Sequence, residues 1–534
     1  MKKRRLLGWG LLAAGAGAGI TLYLKEKLKD DEFKSELKQK GQTGLNMALA
    51  GLNTVLPKLP VPYAEDYVGE NFFAGHEEFR NTGVRGGKWR LGYARASLLP
   101  VDYENNDYYL GGFLTFPPSK VQSVLDDIAV RVICLDDGSG RGAAVFAVID
   151  CIGISSTDVR IIRSRLEDFA EENNIVSINV SATHCHSGID TQGIWGPLPD
   201  MLKNNIKEIK KGNFDNLISG KNPEFMEKLF EKTADAVKSA FEDMKPGKFL
   251  FKTIDDLKYS RGKRNPDIVD ERITKLHFIP DDGSRETVGV MMAAHPTALD
   301  AKEGRLSADY IYYIEEEVNK AGADFIFFQG PQLAVAADRG INPEGEEGFG
   351  FQVYGREIGR RLMNIEEKDE EKIAPILNVR MAELRLPLSN NILLTVFSAG
   401  AVNNIAVKTG PKATDVEFIT EVGYVELGKK LRLAMVPGEF APEMLVGGTL
   451  DEEESVTGED WPYPPLKDML AEGTQLTIIG LCNDSIGYIL PDNNYGCIFE
   501  EGHYEEAVSA GEKTGSTIVQ GLQKLFADCG RLEK

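Results

Sequence analysis

Twice along this chain an apolar run gives way to a helix-like stretch and then to a second apolar run, an order that few architectures accommodate. In the first unit, residues 130–149 are two β-branched runs around Asp136-Asp137-Gly138-Ser139-Gly140, a hairpin signal. Ser155-Ser156 then caps a helix with Val159, Ile162 and Leu166 on one side, running to about residue 172, and residues 175–180 form a buried strand. In the second, residues 287–294 are an apolar strand, Ser307-Ala308-Asp309 opens a helix through Lys320, and residues 324–328 are another strand. Two strands joined through a helix pair in parallel, so the expected class is α/β. Residues 224–244 add an amphipathic helix, 197–221 read as an insertion and 366–371 as a solvated turn. Residues 375–436 are β-rich, which completes a fold of mixed sheets with βαβ units and a later part that is more sheet than helix. The stretch 451–465 reads as a long loop able to lie over a cleft.

Parallel sheets collect their sites beyond the carboxyl ends of their strands. Ser181-Ala182-Thr183-His184-Cys185-His186-Ser187-Gly188 follows the 175–180 strand, and in extended backbone His184 and His186 point to the same side. Ala293-Ala294-His295-Pro296-Thr297 follows the 287–294 strand, so three of only six histidines stand at two such ends. Two more strand-like runs, 431–436 and 476–481, lead into Pro437-Gly438-Glu439-Phe440 and Cys482-Asn483-Asp484-Ser485-Ile486-Gly487-Tyr488. A lone histidine is more often a satisfied core residue, and a lone Glu after Pro-Gly a solvated one. Their joint placement argues for a metal or a shared substrate.

Charge narrows the partners. Lys and Arg number 61 against 82 Asp and Glu, and the resulting −21 repels phosphate backbones, so nucleic acid is not an expected partner. Six cysteines without a C-x-x-C pair make neither a disulfide scaffold nor a zinc knuckle. The N-terminus has Lys2, Lys3, Arg4 and Arg5 before an apolar run from Leu6 to Leu24, about the length that crosses a bilayer. Residues 1–30 therefore read as a membrane anchor, favoured over a cleaved signal, with the body outside the cytoplasm; cleavage would make the protein secreted. Residues 31–88 read as a stalk or wrapping extension, and the body, 89–534, starts at Trp89.

The four segments, Thr183 to Gly188, Ala294 to Thr297, Pro437 to Glu439 and Asn483 to Tyr488, resemble in order and spacing the zinc-binding segments of neutral/alkaline non-lysosomal ceramidases. The resemblance runs from about Trp89 to the end of this sequence, and the family's C-terminal β-sandwich is expected to be absent. It implies a zinc ion held by His184, His295, Glu439 and Tyr488, with His186 as acid/base. It also implies an arginine at the substrate carbonyl, Arg261 ahead of Arg264 in Tyr259-Ser260-Arg261-Gly262-Lys263-Arg264, and a second tyrosine, Tyr504 of Tyr504-Glu505, with Tyr495 the alternative. The implied activity is hydrolysis of an N-acyl lipid amide to fatty acid and sphingoid-type amine. The chain departs from the family at Gln329-Gly330-Pro331-Gln332-Leu333-Ala334, where members carry Gly-Asp-x-Ser-Pro. Alternatives are a membrane-tethered protein that keeps the metal without turnover, and a zinc hydrolase of a different ester or amide.

Overall fold

The computed structural model describes residues 31–255, 259–299, 303–337 and 350–533. Its largest layer is a nine-stranded mixed sheet. From one edge the strands are Ala323–Gln329, Glu286–Met292, Ile273–Pro280, Lys245–Ile254, Trp89–Ser97, Ala129–Asp136, Ala143–Ile149 and Ile175–Ala182, with Glu371–Lys372 added beside Lys245–Ile254. Interior neighbours are antiparallel, whereas the outermost pair at each edge is parallel. Those two parallel pairs are the two strand–helix–strand units of the sequence.

Period-two alternation sends successive side chains to opposite faces. From Ala129–Asp136, Val130, Val132 and Cys134 pack against the helix Pro223–Glu242, while Ile133 and Leu135 face a second sheet. That sheet, Leu377–Pro387, Val416–Leu427, Leu431–Met435 and Gln475–Ile479 with Ala406–Lys408 at its side, covers the inner face of the first. Its outer face, through Phe418, Val422 and Tyr424, packs on the helix Thr514–Asp528. The layers run helix, sheet, sheet, helix, and the mixed α/β class expected from the sequence is the class observed.

The large sheet curls until its edges meet. Phe146 and Phe328, from strands near opposite edges, have ring centroids 6.2 Å apart. The segment after Gln475–Ile479 then stitches the two edges together. The Gly480 N–H donates to the Gln329 carbonyl (2.9 Å), and the Asn483 N–H to the Val180 carbonyl (2.7 Å). Both histidine-bearing strand ends thus open on one place.

Two local readings are corrected. The first-unit helix is broken into Ser156–Ser164 and Glu167–Glu172, because fully buried Leu166 tucks inward between them. The stretch 366–371 is not wholly solvated: the Glu370 carboxylate is buried, ion-paired with Lys275 Nζ (2.7 Å) and bonded to His277 Nδ1 (2.7 Å). Ahead of Trp89, the helix Asp31–Val55 lies along Asn391–Ser398, where buried Asn53 Nδ2 donates to the Asn391 carbonyl (3.2 Å). No helix among the described residues is long and apolar enough to cross a membrane; the run from Leu6 to Leu24 lies outside them.

Candidate metal centre

His184 does not continue the strand. Pairing ends at Ala182 and His184 takes φ +65°, a left-handed conformation uncommon for a side chain without special support. The shared direction of His184 and His186 therefore comes from a turn, not from extended backbone. Ile152 supports that turn: its carbonyl lies 2.7 Å from His184 Nδ1. A carbonyl only accepts, so Nδ1 carries the proton and Nε2 presents a lone pair inward. His295 is held the same way, with Nδ1 2.8 Å from the Val335 carbonyl. The His186 backbone N–H donates to Pro296 (3.1 Å), which ties the two histidine loops directly.

Glu439 arrives four residues past the second-sheet strand Leu431–Met435, in a small two-stranded sheet of its own. Glu439–Phe440 pairs in parallel with Tyr488–Ile489, and the register places Glu439 opposite Tyr488. Gly438 sits where a Cβ would come within 2.3 Å of the Gly487 carbonyl, so the Pro-Gly-Glu text has a steric reason. Glu439 Oε2 stands 2.8 Å from His295 Nε2 and 3.3 Å from His184 Nε2. Two imidazole lone pairs and a carboxylate oxygen, all acceptors when the imidazoles are neutral, meet with only a few per cent of their surface exposed. Such a contact is repulsive unless a proton or a metal cation sits among the atoms, and a donor set of two imidazoles and a carboxylate suits zinc. Burial alone would raise the Glu439 pKa; positive charge and a donated hydrogen from the His184 and His295 side hold it well below the carboxylate range, as any cation placed between them would.

His186, expected as acid/base, stands directly against this group. Its Nε2 lies 3.1 Å from His184 Nε2, and ligand atoms of His184, His186 and His295 fall within 4.8 Å of one another, a grouping able to hold a metal. Burial, with His184 and His295 as neighbours, holds its pKa well below that of ordinary histidine. Gly112, at φ +119°, packs its backbone on this ring, where a Cβ would lie 2.5 Å from His186 Cγ, and Phe113 meets the ring edge-on at 4.9 Å. Sequence reasoning passed over this loop; the Gly111-Gly112 pair closing Tyr108-Tyr109-Leu110 was the available signal.

The remaining predicted residues divide. Tyr488 is buried beside Glu439, and burial together with that carboxylate raises its phenol pKa far above normal. The Tyr504 ring lies 6.0 Å from that of Tyr488 with over half its surface exposed, whereas Tyr495 spends its hydroxyl on the Glu506 carbonyl (3.3 Å). Arg261 pairs with Ala336, and Ala336 bridges His295, so Arg261 lies two strand spacings, about 10 Å, from His295. Its side chain is exposed, and the guanidinium makes no hydrogen bond or ion pair among the described residues. Arg264 is buried and committed, to Glu505 Oε2 (2.9 Å), Glu506 Oε1 (2.7 Å) and the Gly502 carbonyl (2.8 Å). The segment 329–334 follows Ala323–Gln329 and braces the centre: Leu333 donates to the Phe440 carbonyl (3.1 Å), and buried Gln332 stands in a stretch that carries no hydroxyl. The loop 451–465 packs on Asn493, whose carbonyl accepts from Val456 N–H (2.9 Å).

Comparison with known proteins places the fold. No family profile and no curated protein sequence matches the chain. Among solved structures it is similar to the neutral ceramidase from Pseudomonas aeruginosa, with TM-score 0.58 and 14% identity over 83% of this chain and 74% of that one. It is equally similar to a ceramidase complexed with C2, with TM-score 0.58 and 13% identity over 83% of this chain and 75% of that one. The fold is ceramidase-like.

Proposed function

We propose that this protein is a zinc-dependent hydrolase of N-acyl lipid amides, ceramidase-like, that releases a fatty acid and a sphingoid-type amine. One observation carries the reading: the Nε2 atoms of two buried imidazoles, from two separate strand ends, both stand within 3.3 Å of one carboxylate oxygen delivered by a third. His184, His295 and Glu439 would hold the ion and Tyr488 would complete the set, while the carbonyls of Ile152 and Val335 keep both imidazoles in the ligating tautomer. When bound, zinc supplies Lewis acidity, lowering the pKa of a coordinated water to about 7 and polarising an acyl carbonyl.

The chain's own groups do the rest. His186 takes the proton released by the attacking water and delivers it to the amine nitrogen as the C–N bond breaks. Arg261, separated from His295 by the strand that carries Ala336, stabilises the charge that develops on the carbonyl oxygen. Tyr504 flanks Tyr488 at the exposed side and orients the substrate. A second reading, metal retention without turnover, is favoured by the hydroxyl-free segment Gln329 to Ala334. A third, hydrolysis of a different ester or amide, is open to the same machinery. The decisive experiment is cleavage of a fluorescent N-acyl sphingosine with and without a chelator. Chelator-sensitive release of fatty acid supports the first reading, metal without release supports the second, and release only from other esters or amides supports the third. We also propose that the run from Leu6 to Leu24 anchors the body outside the cytoplasm; digestion of the body by protease added to intact cells tests this.

A further inference from the structure

His186 is roofed by a loop whose far end is apolar and exposed. Residues 108–121 form a narrow hairpin: Leu110 N–H donates to the Ser119 carbonyl (3.0 Å), and Val121 N–H to the Tyr108 carbonyl (2.8 Å). Its base is wedged into the centre, with Gly111 N–H bonded to the Gly188 carbonyl (2.9 Å) and Gly112 and Phe113 against the His186 ring. Its tip points the other way. Leu114 is 58% and Phe116 77% exposed, beside Pro117 and Pro118, and together they line a surface groove of about 780 Å³. Across the centre, on the Tyr488 side, Tyr504 is 56% exposed. Leaving two large apolar side chains in water is unfavourable, and such patches mark contact surfaces.

Charge identifies the occupant. From Gly111 to Ser119 there is no charged side chain, and Lys120 beside it is neutralised by Asp107 at 2.6 Å. A neutral apolar tip on a protein of net charge −21 suits an uncharged or zwitterionic lipid surface and is repelled by an anionic one. We infer that the 113–118 loop inserts Leu114 and Phe116 into a zwitterionic bilayer, setting the His186 side of the centre at the membrane where a lipid amide resides. This deepens the function proposed above and rests on it for the substrate, while the docking itself is independently measurable.

The test uses the full chain and phosphatidylcholine vesicles. In F116W, the added tryptophan emission should shift to the blue and be quenched by brominated acyl chains, with less response when phosphatidylserine is mixed in. In L114S/F116S, cleavage of a long-chain amide embedded in vesicles should fall about tenfold or more, while cleavage of a water-soluble short-chain amide is unchanged. No change at position 116, or vesicle activity equal to the parent's, overturns the inference. An equal loss on both substrates also overturns it, since the groove would then receive the substrate's own chain. If no form cleaves any amide, the hydrolase reading fails and the tryptophan signal alone decides the docking.

Discussion

Arg264 gives the sharpest test of how the rim of the centre is built. Its guanidinium, 6% exposed, joins Glu505, Glu506 and the carbonyls of Gly502 and Asn494, and so fixes the loop that presents Tyr504. Arg264→Met keeps the volume but strands two carboxylates that are each 1% exposed. Removing one partner of a buried ion pair costs about 3–5 kcal/mol. With an unfolding entropy of about 2.1 cal/mol/K per residue, a chain of 534 residues should lose roughly 3–5 °C in Tm at pH 7. Burial alone would raise the Glu506 pKa, but His503 and Arg264 bring it down to about 2. A depressed carboxylate stabilises above its unfolded pKa of about 4.5 and loses that contribution as pH falls toward 2, so the gap between parent and variant should close over that window. Scanning calorimetry reads both effects. Arg261→Met, at an exposed and unpaired position, should stay within about 1 °C of the parent. An Arg264→Met protein as stable as the parent, or a matching loss in Arg261→Met, would refute the assignment of brace and substrate-facing arginine.

Further outcomes follow from the same geometry. Arg261→Met should lower kcat/KM by about 10²–10³-fold with zinc content unchanged, read by steady-state kinetics and elemental analysis. His186→Ala should keep the metal and slow turnover about 10²–10⁴-fold, and loss of zinc would make His186 a ligand, as its distance to His184 permits. Burial raises the Glu443 pKa to about 7, so the folded state favours its neutral form. That contribution is complete below about pH 4.5 and lost as pH rises through 7; urea titrations should show Glu443→Gln removing this slope, up to about 3 kcal/mol. Asp309 caps the helix Tyr310–Lys320 from φ +57° and accepts from Ala298 N–H (2.8 Å), so Asp309→Ala should cost about 1–3 kcal/mol in the same assay.

The centre was legible because its residues stand where strands stop. Apolar runs followed by His-Cys-His, His-Pro, Pro-Gly-Glu and Asn-Asp-Ser can be seen in text, and the curl of the sheet makes them neighbours. What holds them was not legible. The carbonyls of Ile152 and Val335 carry no side-chain signature, and the left-handed turn at His184 is stabilised by contacts that form only after folding. Arg264 looked like any basic residue in a polar turn, since its acids lie some 240 positions downstream. Glu370 looked solvated for the same reason, its partners Lys275 and His277 lying on a distant strand. The helix Asp31–Val55 was hidden by polarity, being held through amides such as Asn53 more than through an apolar stripe.

The central claim is that the four-residue set holds one divalent ion, and metal content tests it directly. Elemental analysis of the dialysed full chain, beside Glu439→Ala, should give about one zinc per parent chain and little in the variant. A parent chain without bound divalent metal, or a variant that keeps it in full, would contradict the account.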